Sequence, residues 1–379
     1  MSTNQTKILF VDNSTRCFFI FRLPVAKAFK ALGYDVYVAS PAPYEYYQDE
    51  ITKYGIKHIP YEIGADISLM KDLKLAITFY KFYKEIEPDC VIHYTIKPNI
   101  YGTLVARLLK IKSIAVVPGT GSVFQKGGFI SKIVELLYFF AFKYPEKVWV
   151  LNGDDLQSLL KRNIVSVDRI EILPGEGVNS SYFSTNSEYE KNENFVFLYM
   201  GRMLREKGVE YLAQASAYLR NIGITSFEVH LLGLVDGLSK DIISQNEIEE
   251  WEKQGLVKYL GSVQDVRKNI ELSDCVILPT FYGEGIPRSL MEANSMKRPI
   301  LASENVGCRD IVENGVNGIL CKSQDVEDLA LKMKYMMQLP SAELKKMGEN
   351  GRQIILSKFE ESVIVDKYLV EVGKILENN

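Results

Sequence analysis

The residues with the clearest chemical potential lie in segment 281–292, FYGEGIPRSLME, one residue after the apolar run CVILP. Pro287 is a favoured first helical residue, so the spacing predicts a helix that opens there. The backbone at such an opening, here Gly285, Ile286, Pro287, Arg288 and Ser289, offers unsatisfied N–H groups to an anion or to hydroxyls. Gly283 and Gly285 let the chain approach a ligand closely. Glu284 stands just before the helix. Glu292 follows Arg288 by four residues and shares its face. Two carboxylates so placed accept hydroxyls at opposite ends of one ligand, and Glu292 suits a diol such as that of ribose. Taken alone, the two glutamates read rather as a loop acid and a solvated helix residue.

A second segment, 201–208, reads GRMLREKG and follows the apolar run FVFLYM. Arg202 and Lys207 are then expected at the carboxyl end of a strand, above a helix start. Two cations there can clamp a diphosphate and stabilise it as it leaves. With Glu206 between them, the same residues alone read as a salt-bridged surface loop.

The elements that must position these segments follow one pattern. Short continuous apolar runs at 7–12, 36–39, 90–93, 114–117, 147–151 and 170–173 alternate with helical spacing at 23–32, 71–86, 101–109 and 130–142. Continuous rather than alternating apolar strands mark a parallel sheet covered on both faces. Residues 14–21 read as an aromatic loop. The stretch 174–194 turns polar and rich in Gly, Ser and Asn, the composition of a linker. Strands then resume at 195–200, 227–232, 257–260, 275–278 and 299–302, and a long helix closes the chain near 360–376. The expected fold is α/β, two doubly wound Rossmann-like domains facing a central cleft. The expected division is 1–178, a linker at 179–194, a second domain at 195–358, and a terminal helix at 359–379 that packs back on the first domain. Ligands in such sheets bind outside the carboxyl ends of the strands, and a cleft between two such domains is the expected site.

Composition excludes several function classes. At 379 residues the chain suits two domains, and its 47% apolar and 25% charged content is that of an ordinary globular protein. Residues 1–180 carry 22 Lys+Arg against 18 Asp+Glu, a net of +4, whereas residues 181–379 carry 23 against 30, a net of −7. The acidic total argues against nucleic acid as a partner. The basic first half could face an anionic membrane or a diphosphate acceptor. Five scattered cysteines without a CxxC pair and three distant histidines point to a reducing cytoplasm and no protein-bound metal. No apolar run reaches the ~20 residues of a spanning helix, and no signal-peptide layout is present at the start.

In combination, the strand–G-R-x4-K-G–helix unit and the later strand–E-x7-E–helix unit resemble the second domain of glycosyltransferase family 4, retaining enzymes of the GT-B fold. Segments YLGSVQD at 259–265, SDCVILPT at 273–280 and NGVNGIL at 314–320 extend the likeness, which covers nearly the whole chain. The resemblance implies that Arg202 and Lys207 hold the diphosphate of a nucleotide sugar, UDP-linked, and that Glu284 contacts the donor sugar. It also gives Glu292 the ribose, the backbone from Gly285 to Ser289 the sugar and phosphate, and the Val263 backbone the base. Glu284, Arg202 and Lys207 are thereby the catalytic set, with no metal and no cofactor. The family's retention is usually explained by same-face attack of the acceptor, whose proton passes to the leaving phosphate.

The first domain resembles a narrower branch, the bacterial capsule, O-antigen and glycan transferases that extend sugars on polyprenyl diphosphate, often with N-acetylhexosamines. The likeness rests on FRLP at 21–24, YTIKPN at 94–99, GTG at 119–121 and Gly127-Gly128. It implies an acceptor side at Arg22, His93, Tyr94, Lys97 and Gly119. Two departures stand out. Asn13-Ser14 replaces the usual paired glycines, and Pro118 stands where many relatives carry a histidine. Aromatic residues interleave with lysines at 71–84, and ISKIVELLYFFAF at 130–142 is flanked by lysines. These helices read equally as core packing and as an interfacial surface. The expected location is therefore the cytoplasm, with peripheral contact at the inner membrane. Two other readings remain compatible: a GT-B sugar-nucleotide 2-epimerase, and a non-catalytic subunit that binds a nucleotide sugar.

Overall fold

The structure is a computed structural model and describes residues 5–41, 45–64, 68–119, 129–235 and 241–377. The chain divides into two compact units, Met1–Glu176 with Glu361–Asn379, and Gly177–Glu360.

The first unit is built on a parallel sheet of β1 (Lys7–Val11), β2 (Asp35–Ser40), β3 (Lys57–Pro60), β4 (Cys90–Tyr94), β5 (Lys112–Val117), β6 (Lys147–Val150) and β7 (Ile170–Ile172), in the order β3-β2-β1-β4-β5-β6-β7. Parallel strands need crossover helices, and these cover both faces. Helices Leu23–Ala31 and Glu361–Glu377 pack on the face presented by Ile8, Phe10, Ile92 and Val116. Helices Leu69–Ile86 and Phe129–Ala141 lie on the opposite face, over Leu9, Val91, Ala115 and Val148. The terminal helix is anchored by Tyr368, whose ring meets Trp149 edge-on at 4.7 Å and whose hydroxyl accepts a 3.0 Å hydrogen bond from Tyr94.

The second unit carries β8 (Phe195–Met200), β9 (Phe227–Leu232), β10 (Lys258–Tyr259), β11 (Cys275–Leu278), β12 (Ile300–Ser303) and β13 (Gly318–Cys321), also parallel, in the order β10-β9-β8-β11-β12-β13. Every residue of β8 and β11 is buried. The strand order reverses direction at β8–β11, which makes their carboxyl ends the switch point where ligands of such sheets bind.

Two local expectations are corrected. Residues 14–21 are not a loop: Ser14 caps a helical run, accepting the Cys17 N–H at 3.2 Å, and Phe18 buries its ring 5.6 Å from Phe10. Residues 179–194 are not a free linker. Phe183 and Tyr189 join the core of the second unit, and the Tyr189 hydroxyl bonds Asp274 at 2.8 Å.

Candidate active site

The two segments singled out by their side chains meet at the carboxyl edge of the second sheet. Segment 201–208 leaves β8, segment 279–287 leaves β11, and these strands are neighbours. The Glu206 carbonyl joins the loops, accepting the N–H groups of Phe281 at 3.0 Å and Tyr282 at 3.1 Å and the Thr280 hydroxyl at 3.1 Å. The Lys207 ammonium is ion-paired with the Glu284 carboxylate and sits 5.5 Å from the centre of the Tyr282 ring. Gly208 makes this approach possible. Its φ is +79°, and a Cβ there would run into the Pro279 carbonyl.

Arg202 is exposed two residues past the end of β8. Its carbonyl is fixed by the buried Tyr199 hydroxyl at 2.8 Å, and burial pushes that phenol well above its ordinary range. The loop after β12 closes the other side. The Asn305 amide donates to the carbonyls of Thr280 at 3.3 Å and Tyr282 at 2.7 Å, and Ser303 donates to the Thr280 carbonyl. Gly307, with φ of +77°, lets the chain pass against the carbonyls of Glu284 and Gly285.

The helix after Glu284 runs Arg288–Ser295, with Pro287 as its N-cap rather than its first residue. Pro287 adds no donor, and the N–H groups of the first turn face the same edge. Arg288 grips Glu292 one turn later at 2.8 Å. Burial raises the Glu292 pKa, and the Arg288 charge opposes that rise. Ile286 is buried and wedges the loop onto the core, whereas Gly285 and Ser289 remain half-exposed. Val263 is exposed on the loop after β10. That loop is tied to β9 through the Gly233 N–H, which donates to the Gly261 carbonyl at 2.7 Å. Chemically, this edge offers cations for phosphoryl oxygens, carboxylates for hydroxyls and backbone N–H groups for either.

The residues expected on the acceptor side are placed differently. His93 is fully buried. Its Nε2 lies 2.6 Å from the Tyr83 hydroxyl and its Nδ1 lies 3.3 Å from that of Thr103. Desolvation lowers its pKa to about 3, so the ring is neutral at physiological pH. Tyr94 is likewise sealed, with its hydroxyl on Tyr368. Neither side chain can touch an acceptor without the unit opening, which corrects their assignment. Arg22 is buried too, 2.7 Å from Glu176 and 3.4 Å from Asp12, with its guanidinium over the Tyr94 ring at 4.7 Å. Burial opposes its charge, but Glu176 and Asp12 more than restore it. Lys97 is ion-paired at 2.7 Å with the buried Asp72. Gly119 is half-buried just beyond β5. Thr120, Gly121, Gly127 and Gly128 lie outside the described residues.

Sequence reasoning missed the residues that hold the loops: Tyr199, Thr280, Ser303, Asn305 and Gly307. Their one signal was position, since each falls at or just past the carboxyl end of an apolar run. Among the described residues, no group of three or more His, Cys, Asp or Glu side chains could hold a metal ion, and no helix is long and apolar enough to cross a membrane.

Comparison with known proteins agrees with this architecture unit by unit. The family model for glycosyl transferase 4-like domains matches residues 7–150, and that for glycosyl transferases group 1 matches residues 183–354. A relative from Campylobacter jejuni, an N,N'-diacetylbacillosaminyl-diphospho-undecaprenol alpha-1,3-N-acetylgalactosaminyltransferase, is 26% identical over 98% of this chain and 100% of its own length. An Escherichia coli UDP-Gal:alpha-D-GlcNAc-diphosphoundecaprenol alpha-1,3-galactosyltransferase is 25% identical over 80% of this chain and 79% of its own. Among solved structures, a glycosyltransferase from Rickettsia africae superposes with a TM-score of 0.82 at 22% identity, covering 99% of this chain and 100% of that one. An Anabaena protein in complex with UDP and glucose gives 0.79 at 17% identity, covering 97% and 100%. With one model on each of its two parallel-sheet units, the chain belongs to the family 4 glycosyltransferases of the GT-B fold.

Proposed function

We propose that this glycosyltransferase moves an N-acetylhexosamine or a hexose, with retention, from a UDP-sugar to a saccharide carried on polyprenyl diphosphate, in bacterial surface polysaccharide or glycan synthesis. The observation that carries the donor half is the junction of the β8 and β11 loops, where Lys207 and Glu284 meet beside Arg202 and the Arg288–Ser295 helix start. In this reading Arg202 and Lys207 take the diphosphate, and Lys207 is shared between it and Glu284. Glu284 accepts sugar hydroxyls, and Glu292, held by Arg288, accepts the ribose diol. The Val263 backbone meets the base. As the sugar–phosphate bond breaks, negative charge collects on the leaving oxygen, and the cations and helix N–H groups stabilise it without a metal ion. The acceptor attacks from the face the phosphate leaves, and the phosphate takes its proton. The names of the Campylobacter and Escherichia coli relatives support the lipid-linked acceptor. An acceptor of that kind places the protein at the cytoplasmic face of a membrane.

The test is incubation with a panel of UDP- and GDP-sugars, with and without a lipid-linked saccharide. Sugar transfer from a UDP-sugar that requires the acceptor supports the reading. Conversion of UDP-GlcNAc to its 2-epimer without acceptor, or tight donor binding with no transfer to any lipid-linked acceptor, contradicts it.

A further inference from the structure

Helix Leu69–Ile86 has two apolar faces, and only one of them is needed for the core. Leu75, Phe79, Phe82, Tyr83 and Ile86 point inward onto the sheet. Yet Leu69 is 87% exposed, Met70 84%, Leu73 61%, Ile77 48% and Tyr80 37%. At about 100° per residue these five fall within one sector roughly 100° wide. Lysines border it: Lys84 lies inside the sector, and Lys81, Lys74 and Lys71 occupy the adjoining one. All four are exposed.

Within Leu69–Ile86 four lysines stand against two acids, Asp72 and Glu85. Asp72, on the same helix, is buried and paired with Lys97. Glu85 is exposed, and Lys74 lies 3.9 Å from Glu62, both at the surface. A second helix on the same sheet face repeats the pattern. On Phe129–Ala141, Leu136 and Phe140 are exposed, and Lys143 stands 4.1 Å from the Phe139 ring. The strand register Val11↔His93, His93↔Ala115 and Ala115↔Val148 sets both helices on that one face.

An apolar stripe bordered by lysines is the surface of a helix that lies in a lipid interface, its chains in the acyl boundary and its ammonium groups among anionic headgroups. Scattered exposed apolar residues need no such account, but a stripe at helical spacing does. The Leu69 end also stands where the crossover from β3 begins, at the edge where the parallel strands terminate and substrates of such sheets are held. We infer that the outward face of helix Leu69–Ile86 docks the protein on an anionic lipid membrane. The inference deepens the lipid-linked acceptor reading but stands on the surface itself, so either can fail without the other.

The experiment is sedimentation of the full chain with vesicles of phosphatidylcholine alone or mixed with phosphatidylglycerol, without donor or acceptor. Wild type is expected to bind the mixed vesicles, more weakly as salt rises. The variant Leu69→Ser/Leu73→Ser/Ile77→Ser is expected to lose about tenfold or more of that partition. Lys74→Gln/Lys81→Gln is expected to lose the preference for the anionic vesicles. Circular dichroism and UDP binding, unchanged in both variants, show that fold and donor site persist. Equal binding of wild type and serine variant overturns the inference. So does a wild type that binds neither vesicle, including one whose mass shows a dimer that the serine variant breaks, since the stripe then covers a second copy.

Discussion

The carboxyl edges of the two sheets are made from the same topology but treat polar side chains in opposite ways. At the first, Arg22, His93 and Tyr94 are sunk into the unit, and each finds its partner there: Glu176 and Asp12, Tyr83 and Thr103, Tyr368. Charges so buried must be paired, and breaking one pair leaves the other member stranded. At the second, Arg202, Lys207, Glu284, Arg288 and Glu292 stand on loops and a helix start with partial or full exposure, while uncharged groups behind them hold the backbone. The contrast teaches that ionisable residues at a strand end are not equivalent evidence for function. The first set is committed to partners inside the fold, and the second, in the proposed function, meets the ligand.

Mutations can break this comparison. The largest effect is expected at the exposed edge. Arg202→Ala, Lys207→Ala or Glu284→Ala should each lower transfer by about a hundredfold to a thousandfold, the scale for removing one group that stabilises developing charge. Melting temperature should stay near that of wild type. Full activity in all three would end the assignment. Next comes Gly208→Val, which forces a branched side chain into a left-handed backbone against the Pro279 carbonyl. Urea unfolding should show a loss of about 2 kcal/mol or more, and an unperturbed midpoint would mean that the loop relaxes freely.

His93 gives a pH test of the sealed edge. Its folded pKa, about 3, lies below the ordinary histidine value. The unfolded chain therefore takes up the proton first. Stability is complete above about pH 6.5 and falls as the pH drops below it. Between pH 7 and pH 5 this one group should remove about 2 kcal/mol. His93→Asn, compared with wild type across that interval, should flatten the slope. A slope identical in both would show that the imidazole is not the group that titrates. The smallest effect is expected at Asn305→Ala, which removes the amide from the Thr280 and Tyr282 carbonyls. Each such bond is worth about 1 kcal/mol of stability, so urea unfolding should show a loss of about 1 kcal/mol, with a modest rise in donor KM as the loop loosens.

Much of this could be read from the chain alone, for physical reasons. Strands buried on both faces write themselves as continuous apolar runs, and FVFLYM and CVILP were legible as β8 and β11. The candidate side chains followed, since they sit one step beyond those runs. Their pairing did not follow. Lys207 and Glu284 are 77 residues apart, and only the adjacency of β8 and β11 brings them together. Burial was also hidden. A histidine at a strand end looks the same whether the strand edge is open or covered, and Gly102 packing directly on the His93 ring is a tertiary fact. Segment 179–194 misled because its composition is polar while its anchors are two aromatics, Phe183 and Tyr189. The lysine-bordered helix read equally well as core or as interface because one of its faces packs on the sheet while another exposes apolar side chains.

The central claim is that the exposed carboxyl edge of the second sheet holds the nucleotide diphosphate. Calorimetric titration of UDP into wild type, Arg202→Ala and Lys207→Ala tests it most directly. The account predicts that each variant, folded as wild type, binds UDP at least about tenfold more weakly, the loss of a charge-assisted contact to phosphate. Equal affinity in all three proteins would contradict it.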